Sequence, residues 1–321
     1  MTGFPLLRLP LLAFIPVLEA MQPWDLINFS LTSNLMKAEV KRLTPLHVQI
    51  TNDASADTVT LWRLKNPKKP VVTYSIKSSD QKNGPLANLR LLPDGSIEVL
   101  SRNRLQECRA LLSLLLSTLR IVEVSQSFVL GRETGMELFA DLIDLTRDTN
   151  LTWRRLEIVG GMQVEPSLYQ ALIHSFTTVP SLELRIEMGA GFKYDGSKGY
   201  PKNRFFATHA AWVSSADLEE MAKCKQLLLS GLRLTAEETN LFLKKWVSGE
   251  VGSDLLLTVE NVDMETVLEG LKTEQRNKIV PVHNRNEPVD CQEITRNSDG
   301  LKMTLLWTFP TDDTTLLTMI T

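Results

Sequence analysis

The chain contains 321 residues, of which 43% are hydrophobic and 23% are charged. These values are close to average globular usage, and the length suits one large domain or two ordinary ones. The formal net charge is only -3, so the composition gives no sign of the basic surface that a nucleic-acid-binding protein needs.

The cysteine and histidine spacing gives no indication of a metal site or a disulfide framework. The three cysteines are far apart and odd in number: Cys108, Cys224 and Cys291. The four histidines do not have metal-ligand spacing: His47, His174, His209 and His283. We therefore expect no cofactor, and we expect an intracellular location, cytoplasmic or nuclear, in a reducing environment.

The first predicted element is an apolar helix within residues 9–21. Pro10 suits the first turn of a helix, where its missing N–H has no intrahelical partner to lose. Apolar residues then recur at the spacing of one helical face: Phe14, Val17, Leu18 and Met21. The run from Leu9 to Leu18 could be a signal-peptide core, but prolines interrupt it and a lone arginine precedes it. It is too short to span a bilayer, so we expect no membrane partner.

The predicted second helix begins near Asp25, after a break at Gln22-Pro23-Trp24. An acidic side chain is favourable at the positive end of a helix. Leu26 and Phe29 would form its apolar side. From about residue 45 to residue 102 the pattern changes to period two, with Val48 and Ile50 alternating with polar residues, which predicts short strands or hairpins.

After residue 103, short apolar runs alternate with amphipathic segments. The strand candidates are Leu119–Val124, Arg155–Val159, Leu182–Met188, Gln226–Leu229 and Leu255–Val259. The helix candidates are Gly135–Leu145, Pro166–Phe176, Ser215–Lys223, Thr235–Val247 and Asp263–Leu271. The strands begin roughly 30 to 40 residues apart, which predicts an irregular α/β solenoid of strand–turn–helix units.

Local signals strengthen three parts of this region. Thr235 and Glu238 have the spacing of a capping box, and Ser214 is a serine cap before an acidic first turn. Trp246 shares a helical face with Phe242, which favours core packing. Ser298-Asp299-Gly300 is the predicted turn of a hairpin within residues 292–309.

The longest irregular stretch, residues 189–204, is rich in glycine, lysine and aromatic residues. Aromatic residues are enriched at binding hot spots, so Phe192, Tyr194 and Tyr200 are candidates for contact with a target protein. The alternative is a flexible, solvated surface loop.

The N-terminal residues follow a pattern that runs without a gap from Leu-Pro to Asp-Leu. The matching positions are Leu9, Pro10, Phe14, Val17, Leu18, Met21, Asp25 and Leu26. This run resembles the F-box motif in its nematode form. The segments Leu227–Thr235, Thr239–Trp246 and Glu293–Gly300 are similar to the nematode F-box-associated domain of type 2.

The resemblance implies an α/β protein with three parts. These are a helical F-box at 1–44, a β-rich connecting segment at 45–102, and an F-box-associated, leucine-rich-repeat-like α/β domain at 103–321. It implies a substrate-recognition adaptor of an SCF-type cullin ubiquitin ligase. The F-box residues would bind the Skp-type adaptor, the C-terminal domain would bind an unknown target protein, and other subunits would carry the catalysis of ubiquitin-dependent degradation.

Three alternatives stay open. The N-terminal helix could be an ordinary buried helix of its own domain. Leu12 stands where the motif often has an acid, and Pro16 lies inside the first helix, so the chain could be a non-catalytic scaffold with a degenerate F-box. An enzyme without a recognisable motif is the third alternative, because catalytic residues meet in space rather than in sequence.

Overall fold

The computed structural model describes residues 11–43, 45–53, 55–64, 70–79, 89–129, 133–148, 151–188, 192–252, 254–282, 285–311 and 314–321. The chain forms two compact units, Met1–Leu156 and Glu157–Thr321. The boundaries expected from the sequence lie elsewhere, after residues 44 and 102. Leu9, Pro10 and the start of the irregular stretch, residues 189–191, lie outside the described residues.

The first unit begins with three short helices, α1 (Leu11–Ala20), α2 (Pro23–Ser30) and α3 (Asn34–Val40). Five strands follow, β1 (Leu46–Asn52), β2 (Ala56–Arg63), β3 (Val72–Ser78), β4 (Leu89–Leu91) and β5 (Ile97–Ser101). Next come α4 (Arg104–Thr118), β6 (Ile121–Val129) and α5 (Glu133–Asp148). The predicted β-structure between residues 45 and 102 is therefore confirmed.

The sheet of the first unit has the strand order β6-β1-β2-β3-β5-β4. β1 is parallel to β6 and antiparallel to β2, and β3 is parallel to β5. One apolar cluster joins this sheet to the helices: it includes Leu18 of α1, Ile27 of α2, Ile50 of β1 and Leu111 of α4. The N-terminal helices therefore share a core with the strands that follow them.

Local chemistry explains where the N-terminal helices begin. Pro23 occupies the first turn of α2, where proline does not remove an intrahelical hydrogen bond. The Ser33 side chain accepts a hydrogen bond from the backbone N–H of Met36 at 3.2 Å and so caps α3. α1 continues through Pro16, although a proline inside a helix removes one backbone hydrogen bond.

The strand β7 (Thr152–Val164) crosses the division between the units. The helical elements after it are α6 (Pro166–Ser175), a 3-10 turn (Gly196–Lys198), α7 (Ser215–Met221), α8 (Ala236–Ser248) and α9 (Met264–Leu268). The strands are β8 (Ser181–Met188), β9 (Arg204–Ala207), β10 (Gln226–Leu232), β11 (Leu255–Glu260), β12 (Thr273–Val282), β13 (Arg285–Thr295), β14 (Lys302–Thr311) and β15 (Thr314–Ile320).

The second unit has the strand order β8-β9-β10-β11-β15-β14-β13-β12. The strands from β8 to β11 are parallel and stand in chain order, whereas β11 to β15 and the hairpins beyond it are antiparallel. Parallel crossovers are right-handed, so this order places α7 and α8 on one face of the sheet. Side chains such as Leu227, Leu257 and Leu305 are buried there.

Most of the elements predicted after residue 103 are confirmed, with boundaries shifted by a few residues. The Thr235 hydroxyl accepts from the Glu238 N–H at 3.1 Å and the Glu238 carboxylate from the Thr235 N–H at 2.9 Å, which confirms the capping box. Trp246 is fully buried. α4, β9, β12 and β15 were not predicted. Among the described helices, none is both long and apolar enough to cross a membrane.

Candidate functional site

A groove of about 940 Å³ lies in the second unit at the carboxyl ends of its parallel strands. Glu187 stands near the end of β8, His209 just after β9, Arg233 just after β10 and Glu260 at the end of β11. In open α/β sheets, ligands commonly bind outside the carboxyl ends of parallel strands. We call this concavity the carboxyl-edge groove, and it is the candidate functional site of the second unit.

One wall of the carboxyl-edge groove is aromatic. Phe192, Tyr194 and Trp212 all line it. The ring centroids of Phe192 and Trp212 are 5.5 Å apart. Each centroid also lies within 5.5 Å of the Tyr169 ring centroid, in an edge-to-face arrangement. Such ring pairs contribute attraction beyond the area that they bury, so they give this wall a fixed shape.

Hydrogen bonds join Asp195, in the segment that carries Phe192 and Tyr194, to α6. Gln170 Oε1 accepts from the Asp195 backbone N–H at 3.0 Å, and Gln170 Nε2 donates to the Asp195 carbonyl at 2.9 Å. His174 Nε2 also lies 2.8 Å from that carbonyl oxygen. These bonds tie Asp195 to α6 of the same unit, and Phe192 and Tyr194 beside it are buried rather than solvated. The flexibility of the stretch stays a prediction.

The three aromatic candidates for target contact have different environments. Phe192 and Tyr194 are each only 8% exposed, and Tyr200 is half-buried. Burial, followed by the nearby carboxylates of Asp195 and Asp217, raises the pKa of Tyr194 to about 12. Its hydroxyl therefore stays protonated and donates to the Gly199 carbonyl. Phe192 and Tyr194 line the groove wall and offer a partner little exposed surface, whereas Tyr200 is not one of the groove-lining residues.

The charged lining of the carboxyl-edge groove is more acidic than basic. It carries four carboxylates and two cationic side chains: Glu187, Asp217, Glu238, Glu260, Lys193 and Arg233. Arg233 Nε lies 3.6 Å from Glu260 Oε2. Glu187 is exposed, and within the described ranges no cation pairs with it. The groove thus presents excess negative charge, part of it unpaired.

Phe192 and Tyr194 of the aromatic wall were among the residues predicted from the sequence, whereas Trp212 and the charged residues of this groove were not. Glu187, Arg233 and Glu260 stand far apart in the chain, and the parallel register of β8 to β11 is what brings them to one edge. The signal that could have found them is positional, because each lies at the end of a predicted strand or just after it. Carboxyl ends of parallel strands meet at the same edge.

The N-terminal candidates for partner binding divide between the core and the surface. Phe14, Leu18 and Leu26 are buried at 6%, 0% and 8% exposure, whereas Val17 is 38% exposed. Met21 is half-buried and Asp25 is exposed. One face of α1, with Phe14 and Leu18, therefore packs on its own unit.

The opposite face of α1 is apolar and exposed. Ala13, Pro16, Val17 and Ala20 are all exposed and follow the i, i+3, i+4, i+7 spacing of one helical face. Surface helices of globular proteins usually carry polar residues on the face opposite the core. Leu31, just after α2, and Leu35, in α3, are also exposed, at 67% and 64%.

Comparison with known proteins places the chain beside one curated nematode protein. The chain is 25% identical over 327 aligned residues to the Skn-1 dependent zygotic transcript 15 protein of Caenorhabditis elegans. The alignment covers 94% of each chain, so it extends across both compact units. No family profile matches the sequence, and no solved structure matches it.

Proposed function

We propose that the chain is a non-catalytic adaptor that recruits a target protein to an SCF-type cullin ubiquitin ligase. In this proposal α1 to α3 form the F-box and bind the Skp-type adaptor, and the second unit binds the target. The observation that carries the proposal is the apolar, exposed face of α1, formed by Ala13, Pro16, Val17 and Ala20. It lies within the residues that resemble the F-box motif.

Helix packing supports the docking half of the proposal. Partner helices commonly insert apolar anchors at helical spacing into a hydrophobic groove. Phe14 and Leu18 are buried in the first unit, so they fix the rotation of α1 about its axis. The exposed side chains are then held toward solvent in a defined orientation, which lowers the entropy that docking must remove.

The second unit supports the recognition half. Its strands β8 to β11 are parallel and in chain order, with α7 and α8 between them. This arrangement is compatible with the leucine-rich-repeat-like solenoid that we propose for this domain, because stacked repeats add strands in sequence order. The carboxyl-edge groove gives the unit a concave surface on which a target protein can bind.

Co-purification with a Skp-type adaptor tests the docking half. Val17→Glu combined with Ala20→Glu places charge on exposed positions, so the fold should be retained and adaptor binding should weaken by at least about tenfold. Leu18 is unsuitable for this test, because it is fully buried and a charge there would unfold the unit. The matched control is Leu241→Glu on α8, where an apolar side chain is 51% exposed.

Two outcomes contradict the proposal. One is that the wild-type chain fails to co-purify with the adaptor, which would favour a scaffold with a degenerate F-box. The other is that the α1 double variant and the Leu241→Glu control bind equally well, which would show that the exposed face of α1 does not take part.

A further inference from the structure

We infer that the outer edge of β4 binds an extended segment of a partner protein in which an acidic residue stands between two apolar ones. The segment pairs antiparallel to β4 and becomes an added strand of the first unit's sheet. The inference goes beyond the proposed function and requires no ligase subunit, so it can be tested on the purified full-length chain.

The backbone at this edge can accept another strand. β4 is the last strand of the first unit's sheet, and in the part of the chain that the structure describes no strand pairs with its outer edge. Leu92 donates its backbone N–H to the Ser96 carbonyl at 2.8 Å, and hydrogen-bonded pairs alternate with non-bonded pairs along an antiparallel ladder. Arg90 is therefore in a bonded pair with β5, whereas the backbone groups of Leu89 and Leu91 point away from it. Both leucines can bond to a partner strand.

The core-facing side of this edge carries uncovered apolar surface. Leu89 and Leu91 lie on the same side of the sheet as Ile97 and Val99, which are buried. Leu91 is nevertheless 73% exposed. A cavity of about 480 Å³ lies beside it, and its described side chains are mostly apolar: Val72, Leu89, Leu91 and Ile97, with Gln22 and Asp25. Two apolar side chains of an added strand can enter this cavity, because alternate residues of a strand point to one face.

The opposite side of the edge selects an acidic residue. Arg90 stands opposite Glu98 of β5, and Lys77 Nζ of β3 lies 2.7 Å from Glu98 Oε1. Arg90 is exposed and forms no ion pair with a described residue. An acid directly opposite Arg90 in the added strand would extend this row of alternating charge, and opposite charges across strands stabilise a sheet. Asp25 does not oppose it, because Asp25 lines the cavity on the other side.

A second copy of this chain fits the edge less well. When β4 pairs antiparallel with itself, the register that uses both leucines sets the two Arg90 side chains directly opposite each other. Like charges in that position are destabilising. A register shifted toward Pro93 loses hydrogen bonds, because proline has no N–H. The charge pattern therefore favours a different protein segment as the occupant.

Fluorescence polarisation with the full-length chain tests the inference. The probes are short labelled peptides of serine and threonine with a central valine-glutamate-valine, and the same peptides with lysine in place of glutamate. The glutamate peptide should bind at least about tenfold more tightly. N-methylation of its two valines removes the N–H groups that bond to Leu89 and Leu91, so affinity should fall by at least about tenfold.

Three results with these probes would overturn the inference. They are equal affinity for the glutamate and lysine peptides, no binding of either peptide, and full affinity of the N-methylated peptide.

A charge-reversal variant assigns the binding to β4. Arg90→Glu should weaken the glutamate peptide by about tenfold and strengthen the lysine peptide by a similar factor. Arg90 is exposed, so the fold should be retained. The control Arg120→Glu makes the same change at an exposed position just before β6, at the opposite end of the unit's strand order. An equal loss from Arg120→Glu, or no change in Arg90→Glu, would contradict the inference.

A second variant tests the apolar side of the edge. Leu91→Ser should weaken the glutamate peptide by about tenfold, because the added strand loses an apolar neighbour. The matched control is Leu241→Ser on α8, where leucine is 51% exposed, and it should bind the peptide as the wild type does. Equal affinity of the two variants would show that Leu91 takes no part.

Sedimentation velocity separates the remaining occupant. The wild-type chain should stay monomeric at the concentrations at which it binds the glutamate peptide. If instead it forms a dimer that Arg90→Glu or Leu91→Ser disrupts, and the peptides do not bind, the edge serves a second copy of this chain and the inference is wrong.

Discussion

The Tyr200 hydroxyl donates a hydrogen bond to Asp217 Oδ1 at 2.7 Å, and the same carboxylate caps the start of α7. The other oxygen, Asp217 Oδ2, accepts from the backbone N–H of Ser214 at 3.1 Å. One side chain therefore satisfies the helix end and fastens the segment that forms the aromatic wall. A change at this carboxylate would disturb both the helix start and the groove.

Removing the Tyr200 hydroxyl should loosen the groove wall without unfolding the unit. Tyr200→Phe deletes one hydrogen bond to a charged acceptor, so we expect the free energy of unfolding to fall by about 1.5 kcal/mol. Hydrogen exchange should become faster in residues 192–204 and stay unchanged in α8. Chemical denaturation and exchange measured by mass spectrometry check the two parts.

Tyr74 offers a matched control for this substitution. Its ring is fully buried in the first unit, and its hydroxyl has no hydrogen-bond partner in the part of the chain that the structure describes. Tyr74→Phe removes an unsatisfied buried polar group, so stability should be unchanged or should rise by about 1 kcal/mol. A larger loss from Tyr74→Phe than from Tyr200→Phe would contradict both predictions.

Pro16→Ala should stabilise the first unit. Proline has no N–H, so the i to i−4 hydrogen bond from position 16 to the carbonyl of Leu12 is absent from α1. Pro16 is exposed, so little packing is lost on substitution. We expect the free energy of unfolding to rise by about 1 to 3 kcal/mol. The comparison variant is Ala13→Gly, also exposed in α1, which should lower it by about 1 kcal/mol.

Thermal unfolding of these two variants measures both the predicted gain in stability of Pro16→Ala and the predicted loss of Ala13→Gly. If Pro16→Ala leaves the melting temperature unchanged while Ala13→Gly lowers it, the proline is not strained in this helix. Adaptor binding by Pro16→Ala would then show separately whether the ring contributes to docking.

His47 should make stability fall in mild acid. Burial, and secondly the charge of Arg154, lowers the pKa of His47 from 6.5 to about 4. Its Nε2 lies 2.9 Å from the Ser125 hydroxyl. The unfolded chain binds a proton below about pH 6.5, whereas the folded chain binds it only below about pH 4. The contribution of neutral His47 to the free energy of unfolding is therefore fully present above about pH 6.5. It is lost as the pH falls toward 4, and the loss is at most about 3 kcal/mol.

Denaturant unfolding at about pH 7 and about pH 4.5 tests the histidine contribution. His47→Gln keeps a polar side chain that can bond to Ser125 and has no titrating group. The loss of stability between the two pH values should be smaller in this variant than in the wild type. The same loss in both proteins would assign the acid sensitivity to other groups.

Gly252 should tolerate no larger residue. A Cβ at this position would lie 1.9 Å from the backbone carbonyl oxygen of Ala222, which also accepts a hydrogen bond from the Gly252 N–H at 2.8 Å. A backbone atom cannot move aside as a flexible side chain can, so Gly252→Ala should cost at least about 2 kcal/mol.

The matched control is Gly95→Ala. Gly95 has a φ of +83°, and a Cβ at this position would have no atom within 4 Å. Its substitution therefore carries only the cost of the left-handed backbone, about 1 to 2 kcal/mol. The fall in melting temperature of Gly252→Ala reports the cost of steric overlap, and that of Gly95→Ala reports the cost of backbone strain. A smaller loss at Gly252 than at Gly95 would contradict the predicted clash.

Capping motifs and hydrophobic periodicity predicted helices and strands well, because both signals depend only on residues that are close together in the sequence. Thr235 and Glu238 act within one helical turn, and the alternation around Val48 and Ile50 reports a strand with one buried face. Strands β9, β12 and β15 were missed. β9 is only four residues long, too short for a period to emerge. β15 pairs on one side with β11, which is distant in sequence.

The sequence by itself determined the identity and phase of most helices and strands, and it singled out both the N-terminal run and the aromatic stretch. It could not decide which side of α1 faces solvent, because that helix is apolar on both sides. Tertiary packing decided it: Phe14 and Leu18 enter the core, and Val17 stays exposed. The same holds for the carboxyl-edge groove. Its charged residues meet only through the register of four parallel strands, a long-range pairing that local pattern does not encode.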